Sequence, residues 1–403
     1  MRIDPDMEKW ADILIGYSLK EQAKELNMPL NDKPVLVIGE TVSRPLMEAL
    51  EVRILKEGAH PVLIPHFPTH KFGYNAGLPA ILHGTEKQRT FIPEGFKKFW
   101  EEAGGFVYII GTEEPYLFRD HSERFSEIRK ANKGLIDLRM GKPWTGTLFP
   151  THAESVVEGF PSLDEYADFI LKASLLDYKE MSISQDEIKG LMDASDTITV
   201  KSYDPDKRKL YELNMNIGEN KVIKGDGKIN VPDGEVFTSP YPNSVEGEIY
   251  LDIPIIRDGA EISGVYLKFE KGRIVDYSAQ KGLDKLRSII ETDEGSHKAG
   301  EIAVATNYEI VRSLMNELFA EKIGGTIHLA VGSSYEMCYP ELDGLVAGKK
   351  QEALQKLIED GRFNPSSQHL DLPKDYRNPQ NGEELIIGST LVVWKDNKWT
   401  ARY

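Results

Sequence analysis

The sequence predicts an α/β first domain with an open, mostly parallel sheet (residues 1–190), followed by an α+β second domain (residues 191–403). The length of 403 residues exceeds what one hydrophobic core usually serves. The stretch from Pro34 to Pro65 reads as strand, helix and strand, which is the pattern of parallel strands joined by a crossover helix. From about residue 196 the pattern changes, and several segments alternate polar with apolar residues.

The elements of the first domain follow from apolar spacing and from helix-capping residues. Its first helix has apolar residues at roughly helical spacing between Met7 and Tyr17. Pro45 suits the first turn of another helix, and Ser162-Leu-Asp-Glu165 is a capping pattern. Short apolar runs predict buried strands. In order, the predicted elements are helix 6–20, strand 34–39, helix 45–57, strand 61–65, strand 106–111, helix 122–132, strand 144–150 and helix 163–175.

The second domain is predicted to mix strands with fewer helices. Its last segment, Leu391–Trp399, reads as a hairpin with Asp396 and Asn397 near the tip, since both residues tolerate turn conformations. Glu270–Arg273 reads as a turn after a strand. The other predicted elements are strands 197–203, 209–217, 247–254 and 265–269, and helices 281–291 and 307–320.

Composition excludes several function classes. The net charge of −16 repels phosphate backbones and anionic membranes, which predicts neither a nucleic-acid nor a membrane partner. No apolar run approaches the ~18 residues of a transmembrane helix, and the acidic start does not resemble a signal peptide. The single cysteine, Cys338, excludes an intrachain disulfide and fits a reducing compartment. We therefore expect a cytoplasmic protein.

The tripeptide His369-Leu370-Asp371 is the strongest local indication of chemistry. In an extended segment residues i and i+2 project to the same side, so the imidazole and the carboxylate would point together. Such a pair forms half of a divalent-metal site. Taken alone, it is more often a solvated polar pair.

Other candidate residues lie upstream and also have ordinary explanations when taken singly. His328 alternates with apolar neighbours, as a hydrogen-bonded core histidine would. Glu235 and Glu301 would be surface carboxylates, and Tyr335 would be an aromatic packing residue. The order of all these motifs along the chain is what changes their interpretation.

Together these segments closely resemble the thermophilic metallo-aminopeptidase family, which includes aminopeptidase T, aminopeptidase S and the PepS enzymes. The motifs that carry the resemblance are Glu235-Val-Phe-Thr-Ser-Pro, Val245-Glu-Gly, Glu291-Thr-Asp-Glu-Gly295, Gly300-Glu301, His328 with Tyr335, and Asn364-x-Ser366-x-x-His369-x-Asp371. The resemblance covers nearly the whole chain and is densest from 235 to 371.

The resemblance implies a metallopeptidase whose second domain holds two divalent ions close together. Carried over position by position, it gives the following metal ligands: Glu235, Glu301, His328, His369 and Asp371. It implies that Glu301 or Asp371 bridges the ions and that Glu301 and Tyr335 take part in catalysis. Oxygen-rich ligation with two imidazoles and no thiolate suits Zn, Co, Mn or Mg.

The resemblance also implies the substrate and the partner. The substrates would be small peptides with a free N-terminus, and the enzyme would be a homodimer. One departure lies beside the site: Leu372-Pro-Lys-Asp-Tyr-Arg follows Asp371, where the family usually continues with an apolar run into a glycine. That change bears on substrate preference more than on metal binding.

Two other readings remain. Ring-cleaving dioxygenases of the same broad family use one Fe(II), and His328, His369 and Asp371 would satisfy a two-histidine, one-carboxylate triad. Glu235 and Glu301 argue against it, since a mononuclear iron site needs open positions. A non-catalytic ligand-binding relative is disfavoured because all five ligands are present and no glycine-rich phosphate loop occurs.

Overall fold

The strands and helices below come from a computed structural model, which describes residues 3–70, 73–74, 76–115, 117, 121–257, 259–345 and 347–402. Within these ranges the strands are β1 (Pro34–Glu40), β2 (His60–His66), β3 (Gly105–Ile110), β4 (Trp144–Leu148), β5 (Thr197–Asp204), β6 (Lys209–Asn216), β7 (Ile223–Gly225), β8 (Asn230–Val231), β9 (Glu235–Thr238), β10 (Glu246–Leu251), β11 (Ile255–Arg257), β12 (Ala260–Glu270), β13 (Arg273–Lys281), β14 (Ala299–Ala305), β15 (Thr326–Gly332), β16 (His369–Asp375), β17 (Glu384–Ile387), β18 (Thr390–Lys395) and β19 (Lys398–Arg402).

The helices begin with one continuous run, in which a π-helical segment, Asp12–Leu19, joins the α-helices Pro5–Ala11 and Lys20–Glu25. None of the described helices is long and apolar enough to cross a membrane. The other α-helices are Arg44–Lys56, Leu78–His83, Glu86–Thr90, Glu94–Glu102, Ser122–Ala131, Lys133–Met140, His152–Val157, Leu163–Ser174, Tyr178–Ser184, Asp186–Asp193, Leu283–Ile290, Glu317–Ala320 and Ala347–Glu359.

The chain divides into two compact units. The first comprises Met1–Leu176 and Gly227–Asp233, and the second comprises Asp177–Asp226 and Gly234–Tyr403. This division differs from the single boundary near residue 190 that the sequence predicts. Gln185 shows why the helices after residue 176 belong to the second unit: its side-chain amide donates to the carbonyl oxygens of Gly225 and Glu235.

The first unit is built on a parallel sheet, as predicted. In the described part of the chain its strand order is β2-β1-β3-β4-β8, and every neighbouring pair runs parallel. The apolar runs explain its position, since β1 and β3 are buried along nearly their whole length. β8 reaches this sheet from the segment after residue 226, which no local pattern in the sequence indicates.

The second unit contains two antiparallel sheets. In the larger one, neighbouring strands follow the order β11-β12-β10-β6-β5-β17-β18-β19, and β13 pairs with β12. The terminal hairpin is confirmed: β18 pairs with β19, and Asp396 and Asn397 adopt the positive φ angles of 52° and 58° that a tight hairpin turn requires. The smaller sheet has the order β16-β15-β14-β9-β7.

One predicted helix is largely wrong. Residues 307–320 form a helix only over Glu317–Ala320. The preceding stretch is irregular because Asn307 ties it to the chain beyond the helix: its backbone N–H donates to the carbonyl oxygen of Lys322, and its carbonyl accepts from Gly324. Ile310 and Leu314 are nevertheless buried, which explains why the spacing of apolar residues resembled a helix.

Candidate metal centre

The five predicted ligands lie on one face of the smaller sheet of the second unit. Directly opposite residues in an antiparallel pair share a face, as do residues i and i+2 along a strand. Ala330 on β15 lies opposite both Glu301 on β14 and Asp371 on β16, so these three form a row across the sheet.

The remaining ligands extend this row along the strands. His328 and His369 are two residues from Ala330 and Asp371 respectively, and Glu235 on β9 lies opposite Ala305. All five side chains therefore project from the same surface of the sheet. The opposite surface is mostly apolar and packs into the core of the second unit through residues that include Ile302, Val304, Leu329, Val331, Leu370 and Leu372.

Small residues between the ligands provide the space for this cluster. Ala303 lies opposite His328, and Ala330 separates Glu301 from Asp371. Gly300 precedes Glu301 at an irregularity in the β14–β15 register, and a Cβ there would lie 2.2 Å from the carbonyl oxygen of Ser333. A side chain at position 300 would therefore force the two strands apart beside the ligands.

The ligand atoms form two overlapping groups. Glu235, Glu301 and His328 make one group, and Glu301, His369 and Asp371 make the other; in each, the atoms that could hold a metal ion lie within 4.8 Å of one another. Glu301 is the member that both groups share. A carboxylate shared in this way can serve two adjacent divalent ions.

Individual distances describe how tightly the cluster converges. His328 Nε2 lies 3.5 Å from Glu235 Oε2, 3.6 Å from Glu301 Oε1 and 3.8 Å from Asp371 Oδ1. His369 Nε2 lies 3.1 Å from Glu301 Oε2 and 3.3 Å from Asp371 Oδ1. Both imidazoles therefore direct Nε2 at the same carboxylates.

Backbone carbonyl groups hold both imidazoles in this orientation. His328 Nδ1 is 2.9 Å from the carbonyl oxygen of Glu321, and His369 Nδ1 is 2.9 Å from that of Ser333. A carbonyl oxygen only accepts hydrogen bonds, so each Nδ1 must donate. In the neutral imidazole this leaves the Nε2 lone pair for a cation, which is the usual arrangement around a metal-binding histidine.

The electrostatics of the cluster favour added positive charge. Burial alone would lower the pKa of His328, but the nearby carboxylates of Glu301, Asp371 and Glu235 raise it to about 10. Burial opposes ionisation of Glu301 too, yet the hydrogen bond from His369 and the nearby charge of His328 leave the pKa of that carboxyl below its ordinary value. Burial raises the pKa of Glu235, and the nearby Lys322 and His328 only partly offset this effect.

A divalent ion fits the donor set that the cluster presents. Asp371 Oδ1 is buried and finds no hydrogen-bond partner among the described residues, a costly state for a carboxylate oxygen unless a cation satisfies it. The other donors are carboxylate oxygens and imidazole nitrogens, which suit Zn, Co, Mn and Mg. Cys338, although buried in the same unit, belongs to neither group.

Tyr335 lies at the edge of this cluster and remains accessible. Its ring centroid is 4.6 Å from that of His369 and 5.6 Å from that of Phe237, and its backbone N–H donates to Ser239 Oγ. The residue is 39% exposed, whereas Glu301 and His328 are almost completely buried. The side chain is therefore partly accessible, while burial and the charges of Glu301 and Asp371 raise the pKa of its phenol well above the ordinary value.

The sequence analysis missed two charged residues beside the cluster. Lys322 has a completely buried side chain whose Nζ contacts Glu321 and lies 3.5 Å from Glu235 Oε1. In the sequence they form a charged dipeptide next to a predicted helix, which is typical of a solvated helix end. No local pattern distinguishes such a dipeptide from a buried pair.

Comparison with known protein families identifies the chain. The sequence profile described as thermophilic metalloprotease (M29) matches residues 3–378. The chain belongs to this family. The family resemblance inferred from the sequence is thereby confirmed.

Individual relatives of this metalloprotease are named as aminopeptidases. Aminopeptidase AmpS from Bacillus subtilis (strain 168) is 38% identical over 200 residues, which cover 47% of this chain and 47% of the relative. The match thus spans about half the length of that curated relative.

Two solved structures have folds similar to that of this chain. Wild-type AmpT from Thermus thermophilus matches with a TM-score of 0.71 and 19% identity over 99% of this chain and 97% of that one. 2,5-Dihydroxypyridine dioxygenase from Pseudomonas putida KT2440 matches with a TM-score of 0.50 and 12% identity over 98% and 97%. At these identities the likeness concerns the fold alone.

Proposed function

We propose that this member of the thermophilic metalloprotease family is a binuclear metal-dependent aminopeptidase that releases N-terminal residues from small peptides. One observation carries the proposal: Glu301 belongs to both groups of potential metal ligands, and each group has two further donors of its own. The names of the relatives support peptides as the substrates.

Each group of this chain has a distinct role in the proposal. Glu235 and His328 would complete one ion site, His369 and Asp371 would complete the other, and Glu301 would be shared by both. When bound, two divalent ions supply Lewis acidity, which activates water, polarises the scissile carbonyl and holds the free α-amine of the substrate. The ligand carboxylates can accept the proton of the attacking water.

Tyr335 has a separate role in the proposal. Its phenol, protonated and close to the ring of His369, would donate a hydrogen bond to the oxyanion that forms as the peptide carbonyl becomes tetrahedral. The proposal also includes a homodimer, which sedimentation of the purified chain tests directly.

The dioxygenase alternative receives less support from the cluster. Three residues, His328, His369 and Asp371, would suffice for one Fe(II), but the buried Glu235 and Glu301 would then lie against it as additional carboxylates. The likeness to the dioxygenase structure concerns only the fold.

Hydrolysis of leucyl-p-nitroanilide tests the proposed activity. We expect release of the chromophore by protein reconstituted with Co²⁺, Zn²⁺, Mn²⁺ or Mg²⁺, and loss of that activity with a chelator. The N-acetylated substrate should not react, because it lacks the free amine. No hydrolysis with any of these ions, together with Fe(II)-dependent oxygen uptake on an aromatic diol, would favour the dioxygenase.

Replacing Tyr335 with phenylalanine separates oxyanion binding from metal binding. We expect Tyr335→Phe to keep both ions and to lower kcat by about 100-fold with little change in KM, as loss of an oxyanion donor does. Tyr339→Phe is the matched control, since the Tyr339 hydroxyl donates to the carbonyl oxygen of Arg362. If Tyr335→Phe loses an ion, the phenol is a metal ligand instead.

A further inference from the structure

Lys322 is a buried cation beside the candidate metal centre to which the resemblance assigns no role. Its side chain has no solvent exposure, and its Nζ contacts the carboxylate of Glu321 and lies 3.5 Å from Glu235 Oε1. Removing an ammonium group from water is costly unless carboxylates compensate it. The environment of Lys322 supplies that compensation at the edge of one ion site.

The backbone around Lys322 is fixed independently of its side chain. Its N–H donates to the carbonyl oxygen of Phe319 at the end of the short helix, and its own carbonyl accepts from the N–H of Asn307. The neighbouring carbonyl, that of Glu321, accepts from His328 Nδ1. This dipeptide therefore touches two members of the same ligand group, Glu235 and His328.

The two oxygens of Glu235 have different neighbours. Oε1 faces the ammonium of Lys322, whereas Oε2 faces His328 Nε2 at 3.5 Å. A carboxylate that is free to rotate could turn either oxygen toward the cluster. An ammonium beside Oε1 defines the orientation and leaves Oε2 directed at the group formed with Glu301 and His328.

In the other ligand group, Asp371 is also hydrogen-bonded to the side chain of Glu321, the carboxyl that Lys322 contacts. The oxygens of Asp371 and Glu301 in that group face His369, whose ring is held by the carbonyl of Ser333. The ammonium of Lys322 thus lies directly beside a ligand of one group, Glu235, and reaches the other group only through Glu321. This asymmetry distinguishes a positioning role from a general contribution to stability.

We infer that Lys322 is a positioning residue that holds one oxygen of Glu235 so that the other serves the ion site of Glu235, Glu301 and His328. The inference rests on the proposed binuclear centre and adds a residue to it. Loss of the ammonium weakens binding of one ion and leaves binding of the second nearly unchanged.

Lys374 provides a matched control in the same unit. Its side chain is 2% exposed, and its Nζ lies 2.6 Å from Asp252 Oδ2 and 2.8 Å from Glu383 Oε1. It lies opposite Ile327 in the register of β15 and β16, on the surface of the sheet that faces away from the ligands. Replacing it removes a buried, ion-paired lysine without touching the ligand cluster.

The test is a titration of the metal-free protein with Co²⁺. Calorimetry measures the affinities, and the visible absorption of the bound ion reports its surroundings. We expect wild-type protein and Lys374→Met to bind two ions with the same affinities. Lys322→Met should bind one ion about 10- to 100-fold more weakly, as removal of a residue that orients a metal ligand does. Lys322→Arg should recover most of the lost affinity because it retains the charge.

The absorption spectrum identifies which ion is affected. The ion that remains on Lys322→Met should give the spectrum seen with Glu235→Gln, and not the spectrum seen with Asp371→Asn. Circular dichroism and thermal unfolding of each metal-free variant establish that it is folded. If Lys322→Met does not fold, Lys322→Gln, which keeps a hydrogen-bonding group without the charge, carries the same prediction.

Three results would overturn the inference: wild-type affinity for both ions in the uncharged variant, equal weakening of both ions, or the same weakening in Lys374→Met. Failure of the proposed function is recognised separately. In that case the wild-type protein itself binds fewer than two ions, whatever the variants do.

Discussion

Replacing Glu301 with glutamine is expected to lower kcat/KM for a leucyl amide by about a thousand-fold or more and to remove at least one of the two ions. Glu301 is the residue that both ligand groups share, so the substitution affects both sites at once. Glutamine has nearly the same shape as glutamate. The loss of activity and of metal therefore reflects the missing negative charge and the replacement of one carboxylate oxygen by an amide nitrogen. Steady-state kinetics and the metal content of the same sample measure the two effects together.

Glu154→Gln serves as the control for this prediction. Glu154 is also buried, but it lies in the first unit and belongs to neither ligand group. Burial raises its pKa to about 8, so glutamine resembles the protonated form that predominates at neutral pH. We expect this variant to keep both ions and its activity. Wild-type activity and two ions in Glu301→Gln would contradict the bridging role.

Removal of both metal ions is expected to lower Tm by roughly 20 °C at pH 8.5 and by clearly less at pH 6.5. Each ion at 100 to 1,000 times its Kd stabilises the folded chain by about 3 to 4 kcal/mol, and 1 kcal/mol shifts Tm by about 2 to 4 °C for a unit of this size. Differential scanning calorimetry with Co²⁺ or with excess chelator at each pH measures the difference.

The pH dependence follows from the histidines. Without metal, the pKa of His328 is raised from 6.5 to about 10, and that of His369 is also raised. Protonation therefore stabilises the metal-free fold fully below pH 6.5, and this stabilisation is lost as pH rises toward 10. A cation must displace these protons, so its affinity increases over the same interval. A metal-dependent Tm shift that did not grow with pH would contradict this competition.

Local patterns were sufficient to predict the extended segments that carry three of the ligands, but no strand was predicted at Glu235 or Glu301. The alternation around His328 and the i, i+2 spacing of His369 and Asp371 both correspond to strands of one sheet, and the parallel sheet of the first unit follows from its apolar runs. The unusual segment after Asp371 also continues as strand. Pro373 is tolerated there because β16 is an edge strand.

Features that depend on distant parts of the chain were not predictable in this way. β8 joins the first unit from beyond residue 226, and helix propensity around residues 307–316 yields to hydrogen bonds made by Asn307. Lysine side chains are usually solvated, yet those of Lys322 and Lys374 are buried against carboxylates that include Glu235 and Asp252 from distant parts of the sequence. A single sequence shows which residues are charged, but it does not show which of them form ion pairs in the folded chain.

The number of metal ions bound per chain tests the central claim most directly. The protein is first stripped of metal, then reconstituted with one cation at a time, and unbound cation is removed. Elemental mass spectrometry then gives the metal concentration, which is divided by the protein concentration. The account predicts two ions per chain in the wild type and fewer in Glu301→Gln. A single ion per wild-type chain at saturation would contradict a binuclear centre that shares Glu301.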